Sequence, residues 1–355
     1  SELRFPIVSQ DFNGRCPMIK KLAEHSLSKR KVTVVCFTVL LLALASIFDY
    51  SATLYLREND WRAWSSLMDR SWFEGESFGG GDVPVIVFMA VIFAWALSFL
   101  RFSPKSLKRL RRYFSYIIVH GLLTAVVIHL LKGVMARPRP SDVFSGEIAF
   151  RSWFDLQSPE LHGWGRGSFP SGHTANIASL VSLTYVIAHG LSAASRWVHL
   201  ARIIVFCLIA TMGLSRVMHG AHWLTDTIAA AAITWWLADA VFHRLLCLPM
   251  QRFPTEIHRP CLWEFRLFVM VLVGCLNLAA ALFALRLLAH SLYVWGTLYL
   301  ISALGVAYVL FRAISLWQES LFPSGRENLA PPLDPDSVGG PLLSTVACQD
   351  YPTYQ

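Results

Sequence analysis

The feature that most limits what this chain can fold into is a succession of long apolar stretches with short polar intervals. They fall at about 32–50, 83–100, 113–131, 174–191, 203–215, 223–242, 267–285 and 291–311. Most can cross the ~30 Å hydrocarbon core of a bilayer as a helix. The fifth is too short to do so unless its flanks join it or it tilts. In lipid every backbone polar group must be satisfied within the structure, which selects helices for segments of this kind. Composition agrees: 55% of residues are hydrophobic and 15% charged, where a soluble domain carries about a quarter charged. The expected fold class is all-α, a polytopic helical membrane protein of about eight spans. Six form a core and the last two an additional C-terminal hairpin.

The formal net charge of +8 raises the question of nucleic acid. There is no basic stripe with interleaved aromatics, so nucleic acid is not an expected partner. The Lys and Arg instead gather between spans, above all at Arg101, Lys105, Lys108, Arg109, Arg111 and Arg112, and again across about 243–266. Basic loops stay on the cytoplasmic side. The sequence thus divides into a cytoplasmic basic arm at 1–31, a six-span core at 32–242, and an inner loop with a two-span hairpin at 243–314. A proline-rich tail at 315–355 is expected to be disordered and cytoplasmic. The first thirty residues lack the pattern of a cleavable signal. Between 51 and 82, Trp61, Trp64 and Trp72 read as interfacial anchors, with Gly79, Gly80 and Gly81 as a turn. Seven cysteines, none in a CxxC pair, argue against a disulfide framework or a zinc site.

Counted from a cytoplasmic N-terminus, the outer ends of spans three to six carry three polar constellations. The first is Lys132-Gly133-Val134-Met135-Ala136-Arg137-Pro138-Arg139-Pro140. The second is Phe169-Pro170-Ser171-Gly172-His173. The third runs from Ser215 and Arg216 through His219 and His222 to Asp226. His222 and Asp226 lie one helical turn apart, where a carboxylate can reach an imidazole, fix its tautomer and raise its basicity. Arg216 offers a planar fork of donors suited to phosphate oxygens. The same three residue types also make an ordinary helix cap with a salt bridge, and Lys132 and the arginines could simply snorkel to headgroups. His120 and His129, inside the third span, read as histidines that satisfy a neighbouring helix. The aromatics Phe144, Phe150, Trp153, Phe154 and Trp164 suggest a lid or half-helix over the site.

In order, the three constellations read Lys-x6-Arg-Pro, Pro-Ser-Gly-His and Ser-Arg-x5-His-x3-Asp. That set resembles the three-part signature of the type 2 phosphatidic acid phosphatase (PAP2) superfamily, in its membrane lipid phosphatase branch. The resemblance spans roughly 32–242. It implies that His222 is a nucleophile oriented by Asp226, and that His173 is the acid protonating the leaving group. It also implies that Lys132, Arg139, Arg216 and the backbone of Ser171 and Gly172 hold the phosphate. Arg137 and His219 fall outside the signature and read as supporting or headgroup contacts. From the residues alone the histidines could exchange roles, except that only His222 has a carboxylate one turn away. No metal or other cofactor is implied.

These features lead to an expected metal-independent hydrolase. It would act on membrane lipid phosphate or diphosphate monoesters through a phosphohistidine, at the outer membrane face. Family substrates include phosphatidic acid, phosphatidylglycerophosphate, polyprenyl diphosphate and lipid A. The expected location is a bacterial inner membrane with both termini cytoplasmic and a periplasmic site; a eukaryotic member with a lumenal site is the alternative. Two other functions fit the scaffold, a lipid phosphotransferase and a non-enzymatic lipid-binding or transport protein. Nothing in the sequence selects an oligomeric state.

Overall fold

The computed structural model describes residues 17–59, 82–155, 167–191, 195–250, 260–289 and 292–321. All regular structure among them is helical, which bears out the all-α expectation. In chain order the helices are α1 (Pro17–Glu58), α2 (Asp82–Leu97), α3 (Lys105–Met135), the short α4 (Pro140–Phe144), α5 (Gly172–Ala178), α6 (Val181–Gly190), α7 (Arg196–Met218) and α8 (Leu224–Ala240). A π-helical turn (Val241–Leu245) and a 3-10 turn (Leu248–Met250) follow, then α9 (Pro260–Ala289) and α10 (Tyr293–Leu321). Trp61, Trp64, Trp72, the glycines at 79–81, Trp164 and the tail beyond 321 lie outside the described residues.

Among the described residues, four stretches are long and apolar enough to cross a membrane: Val32–Glu58, Lys105–Phe144, Arg196–Met218 and Tyr293–Leu316. Val83–Leu97 and Val269–Leu285 are shorter apolar helices. The doubtful fifth span is thus a full 23-residue helix that takes in both flanks, about 34 Å long. The fourth expected span is two helices meeting at Ser179 and Leu180. There the hydroxyls of Ser179 and Ser182 donate to Asn176 O and Ser179 O at 2.6 and 2.8 Å, a back-bonding habit that bends helices. The basic cluster expected in a loop after span two is largely the first two turns of α3. Likewise α1 starts at Pro17, so helix extends into the expected N-terminal arm.

The side chains divide as a bilayer requires. Ile47 is 71% exposed and Phe206 64%, apolar groups that face lipid. Against them stands a small buried core. Ile177, Ala178 and Val181 of α5 and α6 meet Val205, Ile209 and Met212 of α7 and Ala238 of α8. Ile128 of α3 packs with Ala175 and Ala230 on the other side of α5. α5 is therefore the centrepiece, enclosed by α3, α7 and α8, while α1 lies against α7 and α8. α9 packs along α3, and α9 meets α10 where Phe283 stands edge-on to Tyr299. By contacts the chain separates into two units, Ser1–Phe311 and Arg312–Gln355; all that follows concerns the first.

Candidate active site

The end of α3, the start of α5, the end of α7 and the start of α8 meet, and each terminus is shaped by its own sequence. α7 closes through Gly220, whose φ of +65° suits glycine at low cost. Gly220 N–H donates to Val217 O at 2.9 Å and Ala221 N–H to Arg216 O at 3.1 Å, the paired bonds of a Schellman stop. His222 N–H also donates to Arg216 O at 3.2 Å. α8 begins immediately afterwards: Asp226 reaches back so that its Oδ2 accepts the Trp223 N–H at 2.8 Å, as a third-position carboxylate does in a capping box. The cap reading and the catalytic reading of Asp226 therefore both hold geometrically.

Backbone bonds stitch the three constellations together. Ser168 N–H donates to Arg137 O at 2.8 Å, Ser171 N–H to Asp226 O at 3.1 Å, and Ser141 N–H to Gly220 O at 2.9 Å. The Trp223 indole N–H donates to Pro138 O at 2.9 Å. Gly167 allows the first of these contacts, since a methyl group in its place would stand 2.7 Å from Lys132 O and 3.2 Å from Ala136 Cα.

His222 is buried, with its Nδ1 2.7 Å from the Ser168 carbonyl. A carbonyl only accepts, so Nδ1 carries the proton and Nε2 holds the lone pair. Asp226 Oδ2 lies 3.7 Å from Nδ1, within electrostatic reach but beyond a hydrogen bond. The carboxylate one turn away is where the spacing put it, yet the bond that sets the tautomer goes to a main-chain oxygen. Burial pushes the His222 imidazole below its ordinary value of 6.5; Asp226 opposes this and the Lys132 charge adds to it.

The other expected residues gather as follows. Lys132 is buried in the last turn of α3, and a methyl at Gly172 would stand 3.5 Å from its Nζ. Lys132 is within electrostatic range of Arg139 and Asp226. Arg216 is buried in the last turn of α7, and His173 is half-buried in the first turn of α5. The Ser171 side chain caps α5 by accepting from Thr174 N–H at 3.4 Å and Thr174 Oγ1 at 3.0 Å. Because Ser171 N–H already serves Asp226 O, the expected pair of backbone donors to phosphate narrows to that of Gly172.

Two residues expected to be peripheral or passed over are central. Arg137 is 3% exposed and donates from Nη1 to Asp226 Oδ1 at 2.7 Å and to Thr225 Oγ1 at 2.8 Å. Its Nη2 donates to Asp49 Oδ2 on α1 at 2.7 Å, and its Nε to Arg151 O at 2.9 Å. The only sequence signal for Asp49 was a carboxylate inside an apolar run. Of the aromatics expected over the site, Phe144 and Phe150 pack edge-on to buried Trp223, together with Tyr50 of α1. Trp153 stacks on Phe169 and donates to Ser46 Oγ at 2.8 Å. His219 Nδ1 donates to Ser215 O at 2.8 Å, and His120 Nε2 to Thr234 O at 3.1 Å across to α8. His129 lies on an exposed face of α3. Among the described residues there is no group of three or more His, Cys, Asp and Glu that could hold a metal ion.

The fold and site thus define an integral membrane protein of helices with a buried histidine–aspartate centre flanked by cations. Residues 109–246, which contain all three constellations, match the model of the PAP2 superfamily. A similar solved structure is the transmembrane PAP2 type phosphatidylglycerolphosphate phosphatase from Bacillus subtilis, at 20% identity and a TM-score of 0.38. That likeness covers 59% of this chain and 92% of the other. No curated protein gives a significant match.

Proposed function

We propose that this protein is a membrane phosphatase that hydrolyses lipid phosphate or diphosphate monoesters through a phosphohistidine at His222. The observation that carries this reading is the 2.7 Å contact between His222 Nδ1 and the Ser168 carbonyl. It leaves the Nε2 lone pair as the nucleophile, with the Lys132 charge in electrostatic range of the ring. In the first step Nε2 bonds to phosphorus while the bond to the leaving oxygen breaks, and that oxygen takes a proton from His173. Lys132, Arg139, Arg216 and the Gly172 N–H hold the phosphoryl oxygens, whose charge is greatest in the transition state. Water then attacks phosphorus, gives a proton back to His173, and releases phosphate and the free imidazole.

The membrane supplies the substrate class. Cations at the ends of membrane helices, Lys132 and Arg216, suit an amphiphile whose tails stay in lipid while its headgroup enters the site. The basic first turns of α3 lie at the opposite end from Lys132. With basic ends inside, the site opens to the outer face, periplasmic in a bacterial inner membrane.

The test is phosphate release by purified protein, with chelator present. The panel is phosphatidic acid, phosphatidylglycerophosphate, polyprenyl diphosphate and lipid A. Release on one class, abolished by His222→Ala and reduced roughly 10²–10⁴-fold by His173→Ala, is the expected result. Near wild-type release by His222→Ala would remove the nucleophile assignment.

A further inference from the structure

Asp49 lies on α1, outside the family-matching segment; it is 1% exposed and is the one charged residue between Val32 and Leu56. A buried carboxylate is costly unless it is paired and hydrogen-bonded. Asp49 meets both conditions. Its Oδ1 accepts the Thr225 N–H at 3.0 Å, and its Oδ2 accepts from Thr225 Oγ1 at 2.6 Å and Arg137 Nη2 at 2.7 Å. The other amino group of Arg137 is bonded to Asp226, and its guanidinium lies 5.1 Å from the Trp223 ring centroid. Three buried charges therefore stand in a row from α1 to the site: Asp49, Arg137 and Asp226.

Their order matters. Arg137 alone would cancel the charge of Asp226, leaving His222 facing a neutral pair. Asp49 cancels Arg137 instead, so the row of three keeps one net negative charge, at the end beside the ring. That charge is needed when Nε2 bonds to phosphorus, because the ring keeps its Nδ1 proton and becomes cationic. We infer that Asp49 is a positioning residue for the His222 reaction: it acts through Arg137 to fix the Asp226 carboxylate and keep its charge available to the phosphorylated imidazole. This rests on His222 being the nucleophile, and it makes α1 part of the working site.

The effect belongs to the transition state, so it falls on kcat with little change in KM. Asp49→Asn is expected to lower kcat about 10- to 100-fold. Combining it with Asp226→Asn should cost no more than Asp226→Asn alone, since both act on one charge. The decisive variant removes both members of the outer pair: Asp49→Asn with Arg137→Gln restores the net charge left by Asp226. It should recover activity relative to Asp49→Asn, whereas a merely structural ion pair would make the double variant worse. If Asp49→Asn does not fold, the double variant still decides: its kcat should exceed that of Asp226→Asn, and a kcat at or below it would overturn the proposal. So would full kcat in Asp49→Asn, or a loss that multiplies with that of Asp226→Asn. Should His222→Ala and Asp226→Asn both remain active, the nucleophile reading itself falls. Should they be dead while Asp49→Asn is unaffected, only this inference falls.

Discussion

At His222 the proton's position follows from what accepts it: Ser168 O, at 2.7 Å, offers lone pairs only. The ring must be neutral to attack, and burial depresses its proton affinity below the ordinary value of 6.5. The neutral form then persists at pH values where a free histidine would be mostly charged. The acid limb of kcat/KM should therefore lie below pH 6.5. Asp226→Asn removes the group that holds the proton affinity up, so that limb should move to still lower pH while the maximum falls. A limb that moved upward would contradict the assigned arrangement; a pH–rate profile of the two proteins decides it. At this scale the sequence was informative where spacing encodes a side chain and silent where it does not. The spacing of His222 and Asp226 encoded their proximity, which the structure shows at 3.7 Å. The Ser168 carbonyl had no such signal, because every residue has one. Asp49 was legible only as an acid inside an apolar run, and its meaning depends on Arg137 and Thr225, both more than 80 residues away.

Among the elements, the crossing of α3 was readable because long uncharged runs are rare outside membranes, whereas α7 was not, since only 203–215 is uncharged and its charged flanks complete the helix. The division of the fourth span into α5 and α6 was not readable either, since serine hydroxyls bonding back to the main chain leave hydropathy unchanged. Of the glycines near the site, Gly167, where α3 meets the 167–171 segment, leaves the least room for a side chain. Gly167→Ala would put a methyl 2.7 Å from Lys132 O, a backbone atom that cannot swing away. Relief must come from shifting either the end of α3 or the Ser168 carbonyl that holds His222. The expected cost is about 1–3 kcal/mol of stability and a loss of kcat larger than the fall in melting temperature explains. Melting in detergent beside phosphate release measures both, and an alanine variant with native activity would show that the junction has slack.

For the molecule as a unit, α3 sets the scale. Its 31 residues span about 46 Å, with a basic cluster at one end and Lys132 at the other. The proposed orientation makes a direct expectation for single cysteines placed at exposed Glu147, on the site side, and exposed Ser106, at the basic end. In intact cells a membrane-impermeant thiol reagent should label the first and spare the second; the reverse pattern would invert the topology. The central claim is chemical, however, and calls for a chemical measurement. Rapid quench of turnover with a substrate radiolabelled in the transferred phosphate, followed by peptide mapping, reports the covalent intermediate itself. The expected result is an acid-labile, alkali-stable phosphate on His222, formed within the first turnover and absent from His222→Ala. Turnover with no labelled protein, or label on any other residue, would contradict the phosphohistidine mechanism.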